Sequence, residues 1–242
     1  MKKLFFTLAL ASMAIPAWGQ SPAWSPHDTE VLCGGGAPDI RIKMCTSLIQ
    51  AGGESGLALV QVYYDRGVAY LQQGLYDQSI ADFTKAIELN PHVMYTYIYR
   101  GIAYGKKGLY DQAIADYTKA IELHPDPNAY SGRGQAYNAQ GFYDRAITDY
   151  SKAIALSPNN ALAYNNRAWA YHEENQDTQG LSDAEMAVAM APQNAHCFGT
   201  RGAIYEKLGQ RDKAVADYRV ALGLDPRDQI VKDGLERLGA GP

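Results

Sequence analysis

Five arginines and five aspartates recur along this chain at one fixed separation. An aspartate follows each arginine sixteen residues later, giving the pairs Arg66–Asp82, Arg100–Asp116, Arg133–Asp149, Arg167–Asp183 and Arg201–Asp217. Guanidinium and carboxylate groups form bidentate, charge-assisted hydrogen bonds. One interpretation is a basic stripe that binds an acidic ligand. Because every arginine has a carboxylate at the same offset, we favour the other interpretation, a structural ladder of ion pairs that fixes helix register.

The other reactive side chains form no catalytic or metal-binding pattern. No two histidines have the i, i+4 spacing, and none joins a Cys/His cluster with zinc-ligand spacing. No G-x-S-x-G, P-loop or kinase-like motif is present. The tripeptide Gly132-Arg133-Gly134 lies inside a repeated helical pattern, without the context of a phosphate loop. We therefore expect no enzymatic activity, no metal and no cofactor.

The elements that carry these residues repeat with a period of about 34. Prolines close five successive units at spacings of 34, 33, 34 and 34 residues: Pro91, Pro125, Pro158, Pro192 and Pro226. Such a period predicts hairpins of two helices that are stable only when stacked on their neighbours. An aspartate stands where we expect most second helices to begin, and we expect it to cap them: Asp39, Asp77, Asp111, Asp144 and Asp212.

Small and aromatic residues alternate within each unit at helical spacing. In the second unit an aromatic–small–tyrosine series in the first helix is followed by a small–aromatic–alanine series in the second: Tyr97, Gly101, Tyr104, Ala113, Tyr117 and Ala120. Over about residues 60–228 this pattern resembles the tetratricopeptide repeat (TPR) family. The resemblance implies an all-α fold, a right-handed α–α superhelical solenoid of five helix hairpins. We expect a degenerate N-terminal half-repeat before them and a capping helix after them.

The pattern and the flanking composition predict the following boundaries. They are a signal peptide at 1–19, an irregular lead-in at 20–37, a half-repeat helix and connector at 38–59, repeats at 60–93, 94–126, 127–160, 161–194 and 195–228, and a capping helix and tail at 229–242.

The first nineteen residues have the pattern of a bacterial secretory signal. Lys2-Lys3 precedes an apolar run that ends in Ala17-Trp18-Gly19, so we expect cleavage after Gly19. The run is shorter than a membrane span needs and contains Pro16. We expect a periplasmic or secreted protein without membrane insertion after cleavage. The formal net charge of −4 argues against nucleic acid as a partner.

Two cysteines flank the start of the predicted half-repeat helix. Residues 39–50 align without a gap with residues 111–122, which places Cys45 where later units have an aromatic ring. Cys33 lies twelve residues earlier. In an oxidising compartment a Cys33–Cys45 disulfide would hold the lead-in on the array; two unpaired thiols are the alternative. Cys197 has the setting of a small buried apolar residue.

The resemblance also implies a concave groove lined by first-helix residues off the packing stripe. By similarity we expect it to contain Tyr64, Tyr95, Ile98, Tyr99, Asn128, Gln135, Asn165, Asn166, Trp169 and His172. Amides can bond a peptide backbone and rings can accept apolar side chains, so the lining suits an extended peptide or a partner helix. Some family members hold a peptide's terminal carboxylate with lysines and arginines. The matching positions here carry no cation: Tyr64, Val68, Ser131 and Gln135.

The fourth unit departs most from the pattern. Ala168 replaces the small glycine, Ala184 replaces the aromatic, and Gly180 lies inside a helix. Either this unit is loosened, or it opens a pocket beside Trp169; Met186 and Met190 could fill the space that Ala184 leaves.

Two functional hypotheses follow from these features. The first is a non-enzymatic protein-interaction scaffold of the bacterial cell envelope. The second is a self-assembling structural or accessory subunit of an envelope complex. The sequence leaves the partner and the oligomeric state open.

Overall fold

The computed structural model describes residue 33 and residues 36–241. The predicted signal peptide and most of the lead-in lie outside the described residues. Within them the regular structure is entirely α-helical, in twelve helices: α1 Pro38–Ala51, α2 Gly56–Gln72, α3 Tyr76–Leu89, α4 Met94–Lys106, α5 Tyr110–Leu123, α6 Pro127–Ala139, α7 Tyr143–Leu156, α8 Ala161–Glu173, α9 Asp177–Met190, α10 Ala195–Lys207, α11 Arg211–Leu224 and α12 Gln229–Arg237.

The helices form five hairpins, with α1 before them and α12 after them. Each hairpin packs its first helix on the second helix of the preceding unit. First helices of adjacent repeats also contact each other, whereas no two second helices do so in the described part of the chain. The array therefore curves with its first helices on the inner side. The prediction of an all-α superhelical repeat fold is confirmed.

Close approach between the two helices of a hairpin depends on glycine. A methyl group at Gly134 would lie 2.8 Å from the ring of Tyr150, and one at Gly202 would lie 2.7 Å from Tyr218. These two rings are almost fully buried. A side chain at either glycine would therefore push the helices apart, because the ring already fills the space that a small residue leaves.

Each ladder arginine holds the aspartate of its own repeat through two hydrogen bonds. Arg66 Nε donates to Asp82 Oδ2 at 2.7 Å, and Nη2 donates to Oδ1 at 2.8 Å. Burial raises the pKa of the Asp82 carboxyl, and the hydrogen bonds from Arg66 oppose that rise. The same two bonds, at 2.6–2.8 Å, join Arg100–Asp116, Arg133–Asp149, Arg167–Asp183 and Arg201–Asp217.

The arginines also reach the preceding repeat. Arg100 Nη1 donates to the hydroxyl of Thr84 at 3.0 Å, and that hydroxyl donates in turn to the backbone carbonyl of Ile80. Arg66, Arg133 and Arg167 bond hydroxyl groups in the same way, at Thr46, Thr118 and Ser151. At the position that would serve Arg201 the chain has Glu185, and among the described residues no hydroxyl bonds this arginine.

The second helices are not capped as the sequence suggested. The residue before each of these helices forms no side-chain cap, and the aspartate lies inside the first turn. Three of these aspartates instead accept hydrogen bonds from the turn of the following hairpin: Asp39 from Gln73, Asp77 from Lys107 and Asp111 from Gln140. The capping prediction is wrong because the chain enters each helix one residue before the aspartate.

The half-repeat at the N-terminal end is closed by a disulfide. Cys33 and Cys45 are bonded, and both are fully buried against Val62. The helix that follows, α2, begins at Gly56, four residues before the predicted boundary.

The fourth repeat is closely packed around its two alanines. The small residues Ala168 and Ala184 are fully buried with Ile204, which enters from the first helix of repeat 5. A methyl group at Gly180 would lie 2.9 Å from the backbone oxygen of Ala168, so the close approach has moved to the second helix. Met186 is exposed and does not fill the space, contrary to the prediction.

One buried carboxyl group lies at the N-terminal end of the array. Asp65 is 6% exposed and accepts a hydrogen bond from Gln61 at 2.7 Å through Oδ1. Its Oδ2 has no hydrogen-bond partner among the described residues. Burial raises the pKa of Asp65 from 3.8 to about 6, a rise that the hydrogen bond and the charge of Arg41 partly offset.

We predict that Asp65→Asn stabilises the protein at pH 7.5 by roughly 1–2 kcal/mol and has little effect near pH 4. A raised pKa in the folded state favours the protonated form. The stability that the protonated Asp65 side chain contributes is therefore fully present below pH 3.8 and is lost as the pH rises through about 6. Urea unfolding at both pH values measures the difference.

Asp212→Asn is the control, because the Asp212 side chain is 99% exposed. Equal effects of the two substitutions at pH 7.5, or a larger gain from Asp65→Asn at pH 4, would contradict the prediction.

We also predict that Asn175→Gly stabilises the protein by about 0.5–1 kcal/mol. The turn inside each hairpin needs a left-handed residue, which is Gly74, Gly108, Gly141 or Gly209 in the other repeats. Asn175 takes that conformation in repeat 4, at φ 58°. Thermal unfolding measures the gain, and Asn175→Ala should destabilise, since alanine tolerates this conformation poorly. A loss of stability in the glycine variant would refute the argument.

Candidate functional site

The candidate site is the inner face formed by the first helices α2, α4, α6, α8 and α10, called the groove below. Seven of the ten predicted groove residues have accessible surface. Asn128 and Gln135 are exposed, and the other five are partly exposed: Tyr95, Tyr99, Asn166, Trp169 and His172. On each first helix the inward positions are about one turn apart, so their side chains lie on the same face. Because α4, α6 and α8 are neighbours, these side chains form a continuous lining from repeat 2 to repeat 4.

Three predicted groove residues are buried, and for these the prediction is wrong. Tyr64 and Ile98 are 3% exposed, and Asn165 is 6% exposed. Ile98 belongs to the apolar core of repeats 2 and 3, and the Tyr64 ring packs against Phe83 and Tyr99. The side chains at these positions therefore lie between packed helices and not on the surface of the groove.

The N-terminal half of the groove is aromatic. The Tyr99 ring meets the Tyr64 ring edge-on at a centroid distance of 5.5 Å and lies 6.1 Å from that of Phe83. Such pairs hold a ring in one orientation. Burial raises the pKa of Tyr95, as does the negative charge of Asp126, so the phenol stays neutral and presents a hydroxyl group.

The C-terminal half is formed by amides and a paired ring system. The Trp169 and His172 rings lie 5.3 Å apart with their planes tilted by 47°. His172 Nδ1 is 2.5 Å from Oδ1 of the buried Asp177. This contact comes from the start of α9, so the second helix fixes the imidazole from behind. Asn166 lies one turn before Trp169 on the same helix.

A cavity of about 170 Å³ opens between α4 and α6. Ile102, Ala113, Ala136 and the rings of Tyr110 and Tyr117 form its apolar walls, and Gly105, Lys106, Gly132 and Gln135 complete it. Of the ten predicted groove residues, only Gln135 lines this cavity. Gly105 and Gly132 occupy inward positions at which the other repeats have side chains, and this difference in sequence could have predicted the cavity.

The groove has few charged groups. Lys106 is exposed at the cavity and has no ion pair among the described residues, whereas the neighbouring Lys107 pairs with Asp77. In the described part of the chain no group of three or more His, Cys, Asp or Glu side chains is arranged to hold a metal ion. No described helix has the length and apolar character needed to cross a membrane.

Family models for tetratricopeptide repeats match most of this array. One model described as "Tetratricopeptide repeat" matches residues 60–93 and 95–127. Another with the same description matches residues 195–228. A third, described as "TPR repeat", matches residues 134–175. Together these matches cover more than half of the chain, and none of the models describes an enzyme. No curated protein sequence matches the chain.

Solved structures of similar shape include two that are described as TPR proteins, YrrB and TTC0263. YrrB is 19% identical with a TM-score of 0.61, and the alignment covers 79% of this chain and 97% of that one. MamA is 25% identical with a TM-score of 0.60 and coverage of 69% and 92%. TTC0263 of Thermus thermophilus is 21% identical with a TM-score of 0.60 and coverage of 74% and 97%. These structures share the fold, and the matched family models show that the chain is a tetratricopeptide repeat protein.

Proposed function

We propose that this protein is a non-enzymatic scaffold that binds a peptide or a helix of a partner protein in the groove. The observation that carries the proposal is a continuous inner face of partly exposed rings and amides with almost no charge. An apolar and amide-rich concave surface offers both burial for side chains and hydrogen bonds for a peptide backbone.

Two groove side chains, those of Tyr99 and His172, are held in place before any partner binds. Tyr99 packs between two other rings, and the His172 imidazole contacts both Trp169 and Asp177. A lining whose rotamers are already fixed loses little conformational entropy on binding, which favours affinity. The structural relative YrrB is described as having an unusual peptide-binding site. At 19% identity that likeness supports the fold alone, so the proposal rests on the groove.

We place this scaffold in the envelope of a bacterial cell, as an exported protein. The basic and apolar pattern of residues 1–19 is that of a secretory signal. The Cys33–Cys45 disulfide supports the same location, because such bonds persist in oxidising compartments and are rare in the cytosol.

We expect the double variant Trp169→Ala, Asn166→Ala to lose partner binding by at least tenfold. Truncation of a tryptophan at an interface hot spot costs about 2 kcal/mol or more. Partners would be captured by cross-linking in extract of the source organism, identified, purified and titrated by calorimetry.

The matched control is Gln179→Ala, Met186→Ala, on the exposed side of α9 in the same repeat. Circular dichroism checks that each variant stays helical. The proposal fails if every captured partner binds the groove variant and the control with equal affinity.

We further expect the protein isolated from its own cells to begin at residue 20, with Cys33 and Cys45 protected from alkylation until it is reduced. A form without residues 2–19 should stay in the cytosol and show three alkylatable cysteines after denaturation, including Cys197. Intact-mass measurement before and after reduction reads both properties. An uncleaved chain with free thiols at both positions would exclude export.

A further inference from the structure

The cavity between α4 and α6 is a specific feature of repeats 2 and 3. We propose that it is the anchor subsite of the groove, and that it takes one apolar side chain of a partner peptide together with a carboxylate that Lys106 binds. This inference rests on the proposed function and adds the chemistry of the ligand. A carboxylate can come from an acidic side chain or from the peptide's C-terminus, and the experiment below separates these sources.

The cavity walls favour an apolar occupant of limited size. Ile102, Ala113, Ala136 and the ring of Tyr117 surround a volume of about 170 Å³. A cavity of about 150 Å³ lined by apolar side chains is large enough for benzene. A leucine, methionine or phenylalanine side chain therefore fits, whereas a charged group would lose its hydration without a partner in these walls.

Two glycines open the cavity toward the groove. At the position of Gly105 the other repeats have Leu71, Asn138, His172 and Glu206. A methyl group added at Gly105 would meet nothing within 4 Å, so the space beside it is open. At Gly132 an added methyl group would clash with the Tyr117 ring, which means that the ring itself is the wall there. Gly105 belongs to repeat 2 and Gly132 to repeat 3, and no other pair of adjacent repeats combines glycines at these two positions.

The positive charge of Lys106 at the rim of the cavity favours an acidic group in the peptide next to the apolar side chain. Lys106 is exposed at the cavity and pairs with no carboxylate among the described residues. The remaining rim group, Gln135, is exposed and neutral. A peptide that places its apolar side chain in the cavity brings its adjacent residue to this rim, where a carboxylate gains a charge-assisted hydrogen bond from the ammonium group.

The test uses a phage-displayed library of random dodecapeptides, selected on the purified protein. We expect the enriched peptides to share one Leu, Met, Ile or Phe next to an Asp, Glu or free C-terminus. Synthetic copies with free and with amidated C-termini identify which carboxylate is used. We expect Lys106→Gln to weaken their binding about five- to tenfold and Gly105→Leu to weaken it at least tenfold, because leucine fills the cavity.

Gly223→Leu is the matched control. Gly223 is also the next-to-last residue of its helix, and a methyl group there meets nothing within 4 Å, but it lies on a second helix, α11. Both leucine variants should fold at least as stably as the original protein, since leucine favours helix over glycine. Binding to Gly223→Leu should remain within twofold.

The possible failures are distinguishable. If the selected peptides lose affinity for Trp169→Ala, Asn166→Ala but bind Gly105→Leu fully, the groove binds peptides and the anchor subsite is refuted. The same holds if they carry no apolar–acidic pair. If no peptide is selected, or if binding ignores every groove variant, both the subsite and the proposed function are refuted.

Discussion

The bidentate bond between an arginine and the aspartate of its own hairpin is the interaction on which the array depends. The guanidinium lies where three helices meet, because its third nitrogen bonds a hydroxyl group of the preceding repeat in four of five cases. Breaking such a pair would leave a buried charge without a partner, which is costly. The aromatic rings and the alanines can then pack in one register only, and the inner positions of the first helices become fixed.

The repeat period predicted the fold because small residues, rings and prolines each have one structural role at each place. It also predicted the partners of the arginines, since a spacing of sixteen residues joins the two helices of one hairpin. The groove was harder. Whether Ile98 or Asn165 faces the groove or a neighbouring helix depends on the packing between helices that are far apart in the sequence. The spacing of residues along one helix does not determine that packing, so these residues were misplaced and the cavity at Gly105 was missed.

The groove differs in character along its length. Its aromatic end is fixed by rings from two repeats, and its amide end is fixed by a contact from α9 to His172. Between them lies the cavity, with the ammonium group of Lys106 at its rim. The chemistry of the surface therefore changes in a fixed order along the groove, from aromatic rings through the apolar cavity to amides, and a bound ligand would have to match that order. A repeat array with identical units would offer no such polarity, so under the proposed function the departures from the repeat pattern would carry the specificity.

Repeats 4 and 5 are joined in a different way from the others. Arg201 has no hydroxyl partner behind it among the described residues, while Ile204 fills the space between the two small alanines of repeat 4. This joint has apolar burial and a hydrogen bond from Tyr205 to Glu185, at 3.4 Å, where the other joints have a bond from an arginine to a hydroxyl group. Apolar burial stabilises less as water cools. In cold solution the last hairpin and its terminal helix should therefore separate from the array before any other unit, as an independent cooperative segment.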